Sequence, residues 1–120
     1  MRRMSPKRRE LMEAAAPWRK KWLEEQGGCD ICGAMAHLVH EISRGPSREQ
    51  SLMEPCCILA LCTHCHGMIH DETKEWPPMR QLAWLACSRP YDLDLVRFSA
   101  IYGKEVVFQD LMEHLEPKWY

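Results

Sequence analysis

Four cysteines form two Cys-x2-Cys pairs, which are the most specific chemical pattern in this 120-residue chain. Each pair places two thiols on one side of a tight turn, and two such turns supply the four sulfur ligands of tetrahedral Zn²⁺. A zinc ion with four sulfur ligands has no open coordination position, so we expect its role to be structural. The expected ligands are Cys29, Cys32, Cys62 and Cys65.

Histidines lie close to both cysteine pairs. A His40-Glu41 pair lies between them, and Cys65 is followed directly by His66-x3-His70. Residues four positions apart on a helix share a face, so His66 and His70 would point the same way, toward His40. The spacing therefore predicts a separate cluster of three imidazoles that can do chemistry.

The elements that position these residues follow from the apolar pattern. Residues 36–42 read as a strand that ends in the His-Glu pair, and residues 57–61 read as the return strand that leads to Cys62. From Cys65 onward the spacing is helical. The resulting order of zinc turn, hairpin, zinc turn and helix predicts a small α+β fold stapled by zinc and flanked by N- and C-terminal helices.

The segment 29–70 resembles the ββα-metal module of HNH endonucleases, especially the short phage-encoded kind with two zinc-binding Cys-x2-Cys turns. The residues that carry the resemblance are the strand Val39-His40-Glu41-Ile42, the following Arg44-Gly45, and the run Leu61-Cys62-Thr63-His64-Cys65-His66-Gly67-Met68-Ile69-His70. The basic start of the chain is also similar to the leaders of such phage proteins. The likeness covers about 70 of the 120 residues.

This resemblance implies a metal-dependent DNA endonuclease or nickase that hydrolyses phosphodiester bonds. His40, His66 and His70 would hold one divalent cation, and His40, Glu41 and His66 would be the catalytic residues. Imidazole ligands suit Zn²⁺, Ni²⁺ or Mn²⁺ better than Mg²⁺, although all four remain candidates. The implied partners are DNA and a phage protein such as the terminase, in the cytoplasm of an infected host cell.

Two positions depart from the family pattern. Glu41 occupies the place of the usual general base, a histidine, so either Glu41 is the base or His40 is the base and Glu41 or water takes its place as ligand. Cys57 lies about where many members carry the Asn that pins the loop. The alternative function is therefore a catalytically inactive zinc module that binds nucleic acid or a protein partner.

Positive charge is concentrated at the start of the chain. Eight of the 16 Lys and Arg residues fall within positions 2–21, against two acidic residues there, although the whole chain has a net charge of −1. A basic helix can follow a phosphate backbone without reading its sequence. Two arginines after the His-Glu strand are suited to clamp phosphate oxygens. The predicted DNA-binding residues are Lys7, Arg8, Arg9, Arg44 and Arg48.

Three segments make up the predicted organisation: a basic helical leader (1–28), the zinc-bound module (29–72) and a C-terminal helical extension that packs on it (73–120). Pro17 is expected to break or restart the leader helix, which Gly27-Gly28 ends. The extension is expected to contain helices that start at Pro77-Pro78, at Asp92 and at Glu105.

Other uses of the cysteines and a membrane location are disfavoured. An odd total of seven cysteines leaves one unpaired in any intramolecular disulfide scheme. The Cys-x2-Cys-His run also matches a c-type haem attachment motif, which would leave the first cysteine pair unexplained. Cys56, Cys57 and Cys87 are expected to be buried thiols. No apolar run reaches membrane length, so no membrane partner is expected.

Overall fold

A computed structural model describes residues 5–42 and 46–115 and has the mixed helix and sheet content of the α+β class, as predicted. Its one described sheet has two antiparallel strands. The helices and strands, in chain order, are α1 (Pro6–Gln26), β1 (Leu38–Glu41), β2 (Ile58–Leu61), α2 (Thr63–Asp71), α3 (Pro78–Ser88), α4 (Leu95–Tyr102) and α5 (Phe108–Met112). Short 3-10 turns at Pro46–Ser51, Pro55–Cys57 and Pro90–Asp92 connect them.

The two faces of the sheet contact different helices. In the strand register His40 pairs with Leu59, and Glu41 pairs with Ile58. Because side chains alternate along a strand, Leu59 joins the main core with α2 and α3, whereas Ile58 joins a smaller cluster with Trp22 of α1. This register turns His40 toward the helix that carries the other two histidines.

The leader helix α1 is longer than the sequence predicts. Ser5 caps its start by accepting a hydrogen bond from the Arg8 amide at 3.2 Å, and Gly27 ends it with a φ of 76°. The expected break at Pro17 is wrong, because the helix runs through this exposed residue to Gln26. Downstream of the proline, Trp18 and Trp22 stack at 6.1 Å and pack on the sheet, which holds the second half in line.

The C-terminal residues complete the core beside α2. Helix α3 starts at the predicted proline pair, and its Leu82 and Leu85 are fully buried in the same cluster as Ile69 of α2. Helix α4 begins at Leu95 instead of Asp92, because Asp94 caps it by accepting from the Arg97 amide. Helix α5 is also shorter than expected and ends at Met112. Within 5–42 and 46–115, no helix combines the length and the apolar character needed to cross a membrane.

A buried ion pair fastens the first cysteine turn to the end of α3. Arg89 is 3 % exposed, and its Nε donates to Oδ1 of Asp30 at 3.1 Å. The same guanidinium donates to the backbone carbonyls of Pro55 and Ile58, on the segment that leads into β2. One arginine thus joins the first cysteine turn, the sheet and the C-terminal helices.

Candidate metal centres

The four paired cysteines lie close together, as the sequence predicts. All four sulfur atoms lie within 4.8 Å of one another, and Sγ of Cys32 is 3.6 Å from Sγ of Cys62. A tetrahedral zinc ion with Zn–S bonds of about 2.3 Å sets neighbouring sulfurs about 3.8 Å apart. All seven cysteines are free thiols. Cys29, Cys32, Cys62 and Cys65 can therefore bind one metal ion such as zinc.

Local backbone geometry brings the two cysteine pairs to this point. At the first pair, the Gly33 amide closes the turn on the Cys29 carbonyl, and Gly33 has a φ of 81° that favours glycine. At the second pair, Cys62 is the N-cap of α2, and its sulfur accepts from the Cys65 amide at 3.4 Å. This backbone N–H lowers the pKa of Cys62 to about 7. Burial raises the pKa of Cys65, so in the metal-free chain negative charge collects on Cys62.

His40, His66 and His70 form a second group of potential metal ligands. One ring nitrogen from each lies within 4.8 Å of the other two, and Nε2 of His66 is 3.0 Å from Nε2 of His70. The ring of His40 stands edge-on to both, with centroids 5.6 and 5.7 Å away. Three imidazoles that converge in this way match the donor set preferred by Zn²⁺, Ni²⁺ and related cations.

The three histidines of this group differ in solvent exposure. His40 is 5 % exposed, His66 is half-buried, and His70 is exposed. Burial, together with the nearby His70, lowers the pKa of His66, although the charge of Glu41 opposes that shift. A lowered pKa keeps the imidazole neutral, which is the form that binds a metal. The exposed side lets a ligand from solution approach the three nitrogens.

Gln81 of α3 contacts the buried side of this group. Its Oε1 lies 2.8 Å from Nε2 of His40, and its amide nitrogen donates to the Trp76 carbonyl at 2.8 Å. Gln81 is only 2 % exposed. The C-terminal extension therefore contributes a polar contact to the histidine group.

Glu41 forms ion pairs with α1. Arg8 donates to Oε1 of Glu41 at 3.2 Å, and Arg19 lies 3.5 Å from Oε2. Arg19 also donates to the carbonyl of Val39 at 3.0 Å. The other terminal nitrogen of Arg8, Nη1, is buried and has no hydrogen-bond partner among residues 5–42 and 46–115. Two arginines of the basic leader thus lie beside the strand that carries His40.

The remaining predicted DNA-binding residues are distributed as follows. Lys7 and Arg9 are exposed on the first turns of α1. Arg48 falls in the 3-10 turn Pro46–Ser51, and its side chain is outside the described part of the chain. Arg44 lies outside the described residues.

Several residues at or near the two centres have no sequence signal that identifies them. Gln81 lies 41 positions from its partner His40, and Arg89 lies 59 positions from Asp30. Arg19 belongs to the basic leader, and its spacing does not predict its contact with Glu41. A single polar residue on a mostly apolar helix, such as Gln81, could only have suggested a buried hydrogen bond, not its partner.

No protein-family model, curated protein or solved structure matches this chain. The interpretation of the two centres therefore depends on their own geometry and chemistry.

Proposed function

We propose that this protein is a metal-dependent DNA endonuclease or nickase of the HNH type. The observation that carries the proposal is the convergence of His40, His66 and His70 from a β-hairpin and the following helix, beside a separate group of four cysteines. The cysteine group, which has no open coordination position when it binds zinc, would staple the hairpin to α2. The histidine group would hold a second divalent cation and leave positions open for a phosphate oxygen and water.

Phosphodiester hydrolysis needs charge stabilisation, a proton acceptor and a means to hold the substrate phosphate. A divalent cation at the three histidines would act as a Lewis acid toward the phosphate and its leaving oxygen. Glu41 is the candidate proton acceptor: its carboxylate pairs with Arg8 and Arg19 on the α1 side of the strand, and its charge still affects the pKa of His66. The lowered pKa of His66 favours its role as a neutral ligand.

Arg8 is suited to bind the substrate phosphate. It lies on the face of α1 next to Glu41, and its planar guanidinium matches two phosphate oxygens at a time. A phosphate bound to Arg8 would also compete with Glu41 for the guanidinium, which would weaken the ion pair when DNA binds.

A non-catalytic zinc module that binds nucleic acid or a protein is the second candidate function. The ion pairs of Glu41 with Arg8 and Arg19 favour it, because both carboxylate oxygens already face guanidinium groups of α1, which compete with a water for hydrogen bonds to them. Lys7 and Arg9 would still contact a phosphate backbone in this case. The implied phage partner, such as a terminase, belongs equally to both candidates.

Cleavage of supercoiled plasmid DNA distinguishes the two functions. The full-length protein would be incubated with Mg²⁺, Mn²⁺, Ni²⁺, Zn²⁺ or EDTA, and nicked product measured against time. His66→Ala should reduce nicking to background, whereas His64→Ala, an exposed neighbour on the same helix, should retain it. Metal analysis should give two ions per chain for His64→Ala and one for His66→Ala.

The opposite results would reject the enzyme. If no cation supports nicking while the cysteine group binds zinc and the protein is folded, the non-catalytic module is the better function. Equal nicking by His66→Ala and the unsubstituted chain would show that the activity arises from a contaminating nuclease.

A further inference from the structure

Gln81 links the C-terminal extension to the histidine centre through one hydrogen bond, and a second hydrogen bond within the extension orients its amide. Its Oε1 lies 2.8 Å from Nε2 of His40, and its amide nitrogen donates to the backbone carbonyl of Trp76. Both Gln81 and His40 are almost completely buried, at 2 % and 5 % exposed. Water therefore cannot easily replace this contact if the amide is removed.

The Trp76 carbonyl determines which way the Gln81 amide points. A carbonyl oxygen only accepts hydrogen bonds, so the NH₂ group of Gln81 must face Trp76 and its Oε1 must face His40. Because Oε1 also only accepts, Nε2 of His40 must carry the proton. In a neutral imidazole with a proton on Nε2, the lone pair that can bind a metal is on Nδ1.

We propose that Gln81 is a positioning residue that holds His40 in the Nε2–H form and makes Nδ1 its metal-binding atom. The inference rests on the proposed cation site at the three histidines. A hydrogen bond to the other ring nitrogen orients a metal-binding histidine and makes it a stronger ligand, and its loss weakens metal binding about 10–100-fold. The extension after α2 would then support the metal centre as well as complete the core.

The protonation of His40 can be measured directly in the zinc-bound, full-length protein. Long-range ¹H–¹⁵N correlation spectra of a ¹⁵N-labelled sample distinguish a protonated from an unprotonated ring nitrogen. Nε2 of His40 should be protonated before any second cation is added. When excess Zn²⁺ is titrated in, the Nδ1 signal of His40 should shift and the proton should stay on Nε2.

Two substitutions separate an effect on His40 from an effect on Trp76. Gln81→Glu keeps an acceptor for His40 but removes the donor to Trp76, whereas Gln81→Met has similar length and removes both. The second zinc ion should bind about 10–100-fold more weakly to Gln81→Met, and at least as tightly to Gln81→Glu as to the unsubstituted chain. Gln109→Met, at an exposed position on α5, is the matched control and should leave the affinity unchanged.

Several results would overturn the assignment. A proton on Nδ1 of His40 would refute it even if neither variant folds, because that measurement uses the unsubstituted chain. Equal losses in Gln81→Glu and Gln81→Met would show that Gln81 acts only through Trp76. Loss of the second ion in His66→Ala with full affinity in Gln81→Met would reject the role of Gln81 and leave the proposed function intact. No second ion in the unsubstituted chain would reject the cation site itself.

Discussion

Asp30→Asn should be among the most destabilising conservative substitutions in this chain. One carboxylate oxygen of Asp30 accepts from Ser88 at 2.8 Å and from Arg89 at 3.1 Å, and the other accepts from the Ala60 amide at 2.7 Å. An asparagine of the same shape has only one acceptor oxygen. Its NH₂ group must therefore face a donor on one side or the other, in a buried position.

The expected loss of stability in Asp30→Asn combines two effects. When the NH₂ group of the asparagine faces another donor, at least one buried donor is left without an acceptor, which costs about 1–3 kcal/mol of stability. Removal of one charge from a buried ion pair costs about 3–5 kcal/mol when the other charge is left uncompensated. Arg89 keeps Asp92 at 2.8 Å and the carbonyls of Pro55 and Ile58, so its charge is only partly uncompensated. We expect Asp30→Asn to lower the free energy of unfolding by about 3–4 kcal/mol, which corresponds to a decrease in Tm of roughly 10–15 °C.

Urea unfolding in the presence of excess zinc measures the difference in unfolding free energy between Asp30→Asn and the unsubstituted chain. The zinc content of each sample is determined as well. Asp92→Asn is the matched control, because Asp92 pairs with the same arginine from a side chain that is 22 % exposed. The loss of unfolding free energy in Asp92→Asn should be below about 1 kcal/mol, because Asp92 is partly exposed to water and the buried Asp30 still pairs with Arg89. If Asp30→Asn unfolds within about 1 kcal/mol of the unsubstituted chain, the buried ion pair does not hold the first cysteine turn in place.

Two further predictions concern the cysteine group and a helix end. Zinc affinity should decrease from about pH 8 to about pH 6, because protons compete for the thiolates. The pKa of Cys62 is lowered to about 7, so the folded chain presents this ligand as a thiolate above that pH, and the thiolate is protonated as the pH falls through that value. A zinc affinity that does not change with pH in a chelator titration would contradict the prediction. Gly103→Ala should cost about 1–2 kcal/mol in urea unfolding, because φ is 86° at the end of α4. Gly67→Ala, inside α2 with open space around it, should instead stabilise by about 0.5–1 kcal/mol, and equal effects at both glycines would refute this reasoning.

The parts of the fold that sequence could predict are those that depend on local spacing. The helical i, i+4 relation places His66 and His70 together, and strand alternation directs His40 toward them. The start of α2 is equally local, because Cys62 is both a sulfur ligand candidate and the cap of the helix. These short-range relations were sufficient to predict the grouping of both the cysteines and the histidines.

The parts that sequence could not predict depend on contacts between distant residues. Arg8 meets Glu41 across 33 positions, and Gln81 meets His40 across 41. Neither pair has a spacing rule, because each depends on how α1 and α3 pack against opposite faces of the sheet. The predicted burial is confirmed for Cys56 and Cys57 and wrong for Cys87, which is exposed near the end of α3.

Cys57, which lies about where the resembled HNH family carries a loop-pinning Asn, belongs to a segment that other groups support. The backbone carbonyl of Cys57 accepts from the Ile42 amide at 3.0 Å, directly after the His-Glu strand. The neighbouring carbonyls of Pro55 and Ile58 accept from the buried Arg89. Because backbone groups and one distant arginine hold this segment, Cys57 is free to serve as a buried apolar side chain. The departure at Cys57 therefore counts less against the proposed enzyme than the ion pairs of Glu41, which act on the candidate base itself.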